Sequence, residues 1–155
     1  MTDPVEVEFH LGAPEEVVAH MERLADGSGW ITLLPGVLSE HVPPPKSSFL
    51  NLFSSGSSFA VPEASWLPPA KPGRPVQIGV RHDHGVKAID HLVERGHPLP
   101  TGWRKAMDHP KRGLVVEVPA TAAHDEVIDW LLSATILLTR VPLLEDWLAR
   151  VHAYI

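Results

Sequence analysis

Residues 142–152 read Pro-Leu-Leu-Glu-Asp-Trp-Leu-Ala-Arg-Val-His. Leu144, Trp147, Leu148 and Val151 recur there at the spacing of one helix face, so the stretch predicts an amphipathic helix. Before it, Thr121 stands where a helix cap is expected, and Asp125 and Glu126 suit the positive end of a helix. A long helix from about Ala122 to Leu138 follows, ended by Pro142. The two together predict a C-terminal helical hairpin, with Trp130 and Trp147 as core or dimer contacts.

Further back, Val76, Ile78 and Val80 alternate with polar residues up to Arg81, the period of two of a strand with one buried face. Val86, Ile89, Leu92 and Val93 then outline a helix closed by Gly96. Gly102 to Met107 reads as a helical turn broken by Asp108-His109-Pro110, and the β-branched run Leu114 to Val118 reads as another strand. The N-terminal part repeats this order. Val5, Val7, Phe9 and Leu11 alternate with Glu6, Glu8 and His10 as a strand. Pro14, Glu15 and Glu16 open a helix with an apolar stripe of Val17, Val18, Met21 and Leu24, and Trp30 to Leu34 makes a second strand after Gly27 and Gly29.

Between these halves, residues 35–75 form a long Pro/Ser-rich insertion that includes Pro43-Pro44-Pro45, Ser54-Ser55-Gly56-Ser57-Ser58 and Pro68-Pro69. Forty structureless residues are rare inside a compact domain. A hairpin is therefore expected, with Phe49 to Phe53 and Phe59 to Val61 flanking the Ser/Gly tip. The whole predicts one α+β domain over residues 1–155, built from two βαβ-like halves in a ferredoxin-like sandwich with the helical hairpin added. A three-layer α/β arrangement is the alternative.

Composition narrows the chemistry. The chain of 155 residues is 44% hydrophobic and has no cysteine, which supports one core and excludes disulfides, thiolate zinc sites and cysteine nucleophiles. The first residues carry no signal-peptide pattern, and no apolar run is long enough to span a bilayer, so a cytoplasmic protein without a membrane partner is expected. The net charge of −6 disfavours a nucleic-acid partner, although Trp103-Arg104-Lys105 and Lys111-Arg112 combine an aromatic with cations. Charge is uneven: residues 71–112 hold nine Lys/Arg against four Asp/Glu, and five of the ten histidines.

That basic stretch contains the candidate site. Arg81-His82-Asp83-His84-Gly85 joins a strand directly to a helix whose N-terminus offers unpaired N–H groups. Arg81, His82, His84 and Lys87 are the expected ligand-binding residues, for an anionic small molecule or an acidic protein partner. Asp83, as a cap, would compete with that anion. His82 and His84 could instead serve a small hydrolase or transferase as acid–base groups or metal ligands, with His91, His109, Asp108 or His10 as further donors. No zinc motif, Walker A loop, Gly-x-Gly-x-x-Gly or Gly-x-Ser-x-Gly elbow is present, so no cofactor, metal or catalytic residue is assigned. A structural homodimer burying its C-terminal helices is the third expectation.

Overall fold

The computed structural model describes residues 3–38 and 60–154. Seven strands and three helices follow in the order β1 (Val5–His10), α1 (Glu15–Leu24), β2 (Gly29–Leu34), β3 (Glu63–Leu67), β4 (Val76–Arg81), α2 (Ala88–Glu94), β5 (Arg104–His109), β6 (Gly113–Val118), α3 (His124–Leu137) and β7 (Asp146–Ala153). They form one open sheet in the order β1-β7-β2-β3-β4-β6-β5, and every neighbouring pair is antiparallel.

This corrects the expected architecture. β1 and β2 run in the same direction, but β7 lies between them, and β6 separates β4 and β5 in the same way. Neither the ferredoxin-like sandwich nor the three-layer alternative is formed, and the C-terminal helical hairpin is replaced by α3 followed by a strand. The physical reason lies in residues 144–151. Trp147 and Val151 fit both periods, and the choice rests on Ala149, which is fully buried between them, against Leu144, which is 43% exposed. As a strand the segment pairs on both sides, Trp147 opposite Phe9 and Val151 opposite both Val5 and Ile31. No lone terminal helix could satisfy its backbone and close the sheet at once.

Two more strands come from segments read otherwise. β3 lies within the Pro/Ser-rich insertion, five residues between Pro62 and Pro68 that place Ala64 and Trp66 in the core. The expected helical turn at 102–107 is largely the edge strand β5, whose side chains are mostly exposed and so carry no apolar period. The hairpin expected around Ser54 to Ser58 lies outside the described residues, apart from Ala60 and Val61.

The core occupies one side of the sheet. Val7, Phe9, Ile31, Leu33, Trp66, Ile78, Val80, Leu114, Val116 and Val118 point toward Val17, Met21 and Leu24 of α1 and Val127, Ile128 and Leu131 of α3. Trp130 and Trp147 are both buried within the chain, and each indole N–H donates to a backbone carbonyl, of Pro98 and Leu144 respectively. The alternating partners, among them Glu6, Trp30, Thr32, Ser65, Gln77, Arg81, Glu117 and Arg150, face the other way, where no described helix packs. Gly27 is confined to glycine twice over, by φ of 90° and because a Cβ there would stand 2.7 Å from the backbone of Pro69 and Ala70. It brings the end of α1 against the β3–β4 connection.

Candidate functional site

The alternation of β4 divides the expected site at once. Successive residues of a strand point to opposite faces, so Arg81 is exposed on the helix-free face while His82 is fully buried on the helix side. His84 packs its ring against His91 of α2, 4.5 Å between centroids at 41°, and Lys87 is exposed at the N-cap of α2 with no side-chain cap bond. The four residues therefore do not converge on one ligand.

The N-terminus of α2 already holds an anion, supplied by the protein. Asp108 of β5 accepts from the backbone N–H groups of Ala88 at 2.7 Å and Ile89 at 2.9 Å. The expected cap, Asp83, instead accepts from Arg140 at 3.3 Å. A carboxylate at a helix start satisfies orphan donors and complements the dipole, so these two N–H groups already have an acceptor.

The histidines lie beside this capped helix start, and two of their ring nitrogens, His82 Nε2 and His84 Nδ1, are buried without a hydrogen-bond partner. His82 accepts the backbone N–H of His84 at its Nδ1, 3.2 Å away, which places the proton of the neutral ring on Nε2, a buried atom without a partner. Burial holds the His82 pKa below the ordinary value, followed by the nearby His84 and His91, against the opposing effect of Asp108 and Asp83. Burial also lowers the pKa of His84, helped by His91, Arg140 and Arg95. His91 donates from Nε2 to the Leu137 carbonyl at the end of α3, 3.1 Å away. His82 is fully buried, whereas His84 is only half-buried. Among the described residues no group of three or more His, Asp or Glu is placed to hold a metal ion.

The helix-free face is built differently. Cross-strand register sets Glu63 opposite Arg81, Ser65 opposite both Thr32 and Gly79, and Leu67 opposite Gln77. Because these central side chains are short, the face sinks into a depression of about 270 Å³ bordered by Trp30, Thr32, Glu63, Ser65, Leu67 and Arg81. Past Leu67 a second depression of about 550 Å³ is bordered by Tyr154, Gln77, Glu117 and the β3–β4 connection with Lys71 and Arg74. Trp30 stacks on His152, 4.5 Å apart and nearly parallel, and Tyr154 leans on Trp30 at 5.1 Å. Lys71, Arg74 and Tyr154 are exposed. Arg104 is engaged with Glu117.

Both signs of charge occur along this face: Arg150 stands opposite Glu6 in the β1 half, and Glu63 stands opposite Arg81 in the other. At the β1 edge a wide cleft of about 690 Å³ is bordered by Glu6, Glu8, His10 and Asp146, and His10 contacts Glu145 at 3.3 Å. The cations Lys71, Arg74 and Arg81 lie toward the other half of the sheet. Only part of the basic middle stretch reaches this face, since Lys87 and Arg95 stand at the two ends of α2; its members here include Lys71 and Arg74. Their signal was the strap Pro68-Pro69-Ala70-Lys71-Pro72-Gly73-Arg74-Pro75, where closely spaced prolines hold two cations on a short connection between strands.

No helix among the described residues is long and apolar enough to cross a membrane. No known protein family, curated protein or solved structure matches this chain.

Proposed function

We propose that the protein is a small binding module for an anionic ligand, taken up beside Lys71 and Arg74 on the sheet face turned away from the core. The observation that carries this reading is the groove between Tyr154, Leu67 and the proline strap, where two exposed cations stand over an apolar and amide-lined floor. Such a site offers charge-assisted contacts to an anion and apolar contact to whatever carries it. The carboxylates Glu6, Glu8 and Asp146 border the separate cleft at the β1 edge, which favours the groove beside Lys71 and Arg74 for an anion. An acidic segment of a protein partner satisfies the same chemistry as a small anion.

The reading differs from an anion site at the β4–α2 turn in which lysine matters. Titration calorimetry with pyrophosphate and citrate is expected to show binding that the double variant Lys71→Gln/Arg74→Gln weakens by about tenfold or more, the loss of roughly 1.4 kcal/mol. Lys87→Gln is expected to leave it unchanged. The reverse pattern would return the site to the turn, equal binding by all three proteins would place the anion at neither, and no binding by the parent protein would remove the anion reading altogether.

A further inference from the structure

The two outer strands of the sheet differ in what they offer a neighbour. β5 ends the sheet on one side, and its register with β6 shifts between Lys105 and Met107, an irregularity that spoils the even spacing a further strand would need. β1 ends it on the other side and keeps an unbroken register with β7 from Val5 to His10. Among the described residues no strand pairs with the outer side of β1.

Hydrogen bonds at the strand ends fix which backbone groups face outward. In an antiparallel ladder the N–H and C=O of one residue point to the same side, and those of its chain neighbours to the other. The Tyr154 N–H donates to the Ser28 carbonyl at 2.8 Å, which turns the even-numbered residues of β7 toward β2 and leaves Trp147, Ala149 and Val151 to bond β1. The Leu11 N–H, donating to the Glu145 carbonyl at 2.9 Å, gives the same alternation from the other strand: Val5, Val7 and Phe9 face β7. Glu6, Glu8 and His10 therefore aim their backbone groups out of the sheet, and the His10 carbonyl is taken by the Ala13 N–H at 2.9 Å. The N–H and C=O groups of both glutamates are left for a partner.

The side chains say what that partner carries. Glu6 and Glu8 are exposed on the face turned away from the core and border, with Asp146, the cleft of about 690 Å³ whose apolar wall includes Leu34 and Leu148. Arg150 stands opposite Glu6, but Glu8 stands opposite Leu148, so Glu8 and Asp146 carry most of the negative charge. On the opposite face Val5 is 58% exposed. A second copy of β1 fits poorly, because antiparallel registers that pair most of the strand set glutamate against glutamate. The same charges that keep a second copy off favour a basic strand.

We propose that the β1 edge takes up an extended basic segment of a protein partner as an additional antiparallel strand. Lysines or arginines at alternate positions lie opposite Glu6 and Glu8, exchange backbone hydrogen bonds with them, and rest their apolar stems over Leu148. The residues between them fall on the side of Val5 and are apolar. This edge is separate from the groove beside Lys71 and Arg74, and the proposal does not rest on that groove binding an anion.

The probe is a blocked peptide of alternating lysine and valine, acetyl-KVKVKVK-amide, titrated calorimetrically at low salt beside its glutamate counterpart, acetyl-EVEVEVE-amide. Only the lysine peptide is expected to bind. Glu8→Gln/Asp146→Asn, two exposed side chains whose loss spares the core, should weaken it by about tenfold or more, whereas Lys71→Gln/Arg74→Gln should leave it unchanged. Backbone N-methylation separates strand addition from charge attraction alone. Methylating two lysine nitrogens, which face β1, should abolish binding; methylating two valine nitrogens, which face away, should keep it within about threefold. At saturation the amide hydrogens of Glu6 and Glu8 should exchange at least about tenfold more slowly. No binding by the lysine peptide, or equal binding of the two methylated peptides, would overturn the proposal. So would slowed exchange at Glu6 and Glu8 on raising the concentration of the protein alone, which would put a second copy on the edge.

Discussion

Arg81 and His82 are neighbours in the chain, yet they belong to two regions built on opposite principles. Behind β4, the turn into α2 engages most of its charged groups internally: Asp108 on two backbone N–H groups, Asp83 on Arg140, His91 on the Leu137 carbonyl, while His82 Nε2 and His84 Nδ1 are buried unpaired. In front of β4, Lys71, Arg74, Trp30 and Tyr154 border open depressions. The difference teaches that charge density along a sequence does not distinguish a site from a brace. A helix N-terminus attracts an anion, but a carboxylate from elsewhere in the same chain meets that demand as well as a ligand would.

If the turn is a brace, breaking it should cost stability and leave binding intact, and breaking the groove should do the opposite. The largest effect is expected from Asp108→Ala, which removes both side-chain hydrogen bonds at the start of α2 and leaves two part-buried N–H groups without an acceptor. About 2 kcal/mol of stability should be lost in urea unfolding, with pyrophosphate affinity unchanged. Lys71→Gln/Arg74→Gln should lose affinity while its unfolding midpoint stays put, because both side chains are exposed. Equal stability of Asp108→Ala and the parent protein would break the comparison.

Next in size is a dependence on acid. His82 and His84 titrate lower in the folded chain than their ordinary value near 6.5 because burial disfavours the charged ring. The unfolded chain therefore takes up protons first, and stability that is complete above pH 6.5 is lost as the pH falls toward the lower folded values. Urea midpoints measured from pH 7.5 to 5.5 should fall over that window. His20 and His152 are lowered too, His20 by burial and then Arg23, His152 by burial and then Arg150, and they contribute in the same sense. His82→Phe keeps a buried ring without a titrating group and should flatten the decline, whereas Lys71→Gln/Arg74→Gln should leave its slope unchanged. An undiminished slope in His82→Phe would mean that the brace does not sense acid through its most buried histidine.

The parts legible in the sequence are those fixed by local period. β1, α1, β2, β4 and the β6 run follow from alternation or a helical stripe because their inward residues are large and regularly spaced. β7 was misread because Ala149, a small residue that gives no apolar signal, carries the inward register, while Leu148, whose neighbours across the sheet are Glu8 and Leu34, sits on the helix-free face. β3 and β5 were missed for complementary reasons: one is short and framed by prolines, the other is an exposed edge whose pattern no core enforces. The site suffered from the same limit. The basic character of residues 71–112 was visible, but Asp108 capping a helix twenty residues earlier is a tertiary contact with no local trace. That single long-range carboxylate supplies the turn with an acceptor of its own.

The smallest effect sharpens the comparison most. Arg140 reaches Asp83 at 3.3 Å from a side chain 57% exposed, while the aspartate is 13% exposed. An ion pair with one end in water is worth about 0.5 kcal/mol, because solvent screens it and the arginine gives up rotamer freedom to hold it. Arg140→Ala should therefore lower stability by no more than about 1 kcal/mol, most of which 1 M salt should already remove from the parent protein. Arg140 also holds the His84 pKa down, so its removal should raise that pKa and shift the imidazole titration of His84 upward in a proton NMR experiment. A structural contact alone would change stability without moving the His84 titration. If both move together, Arg140 joins the charge balance of the turn to its packing, and the region behind β4 is a single electrostatic unit distinct from the groove in front of it.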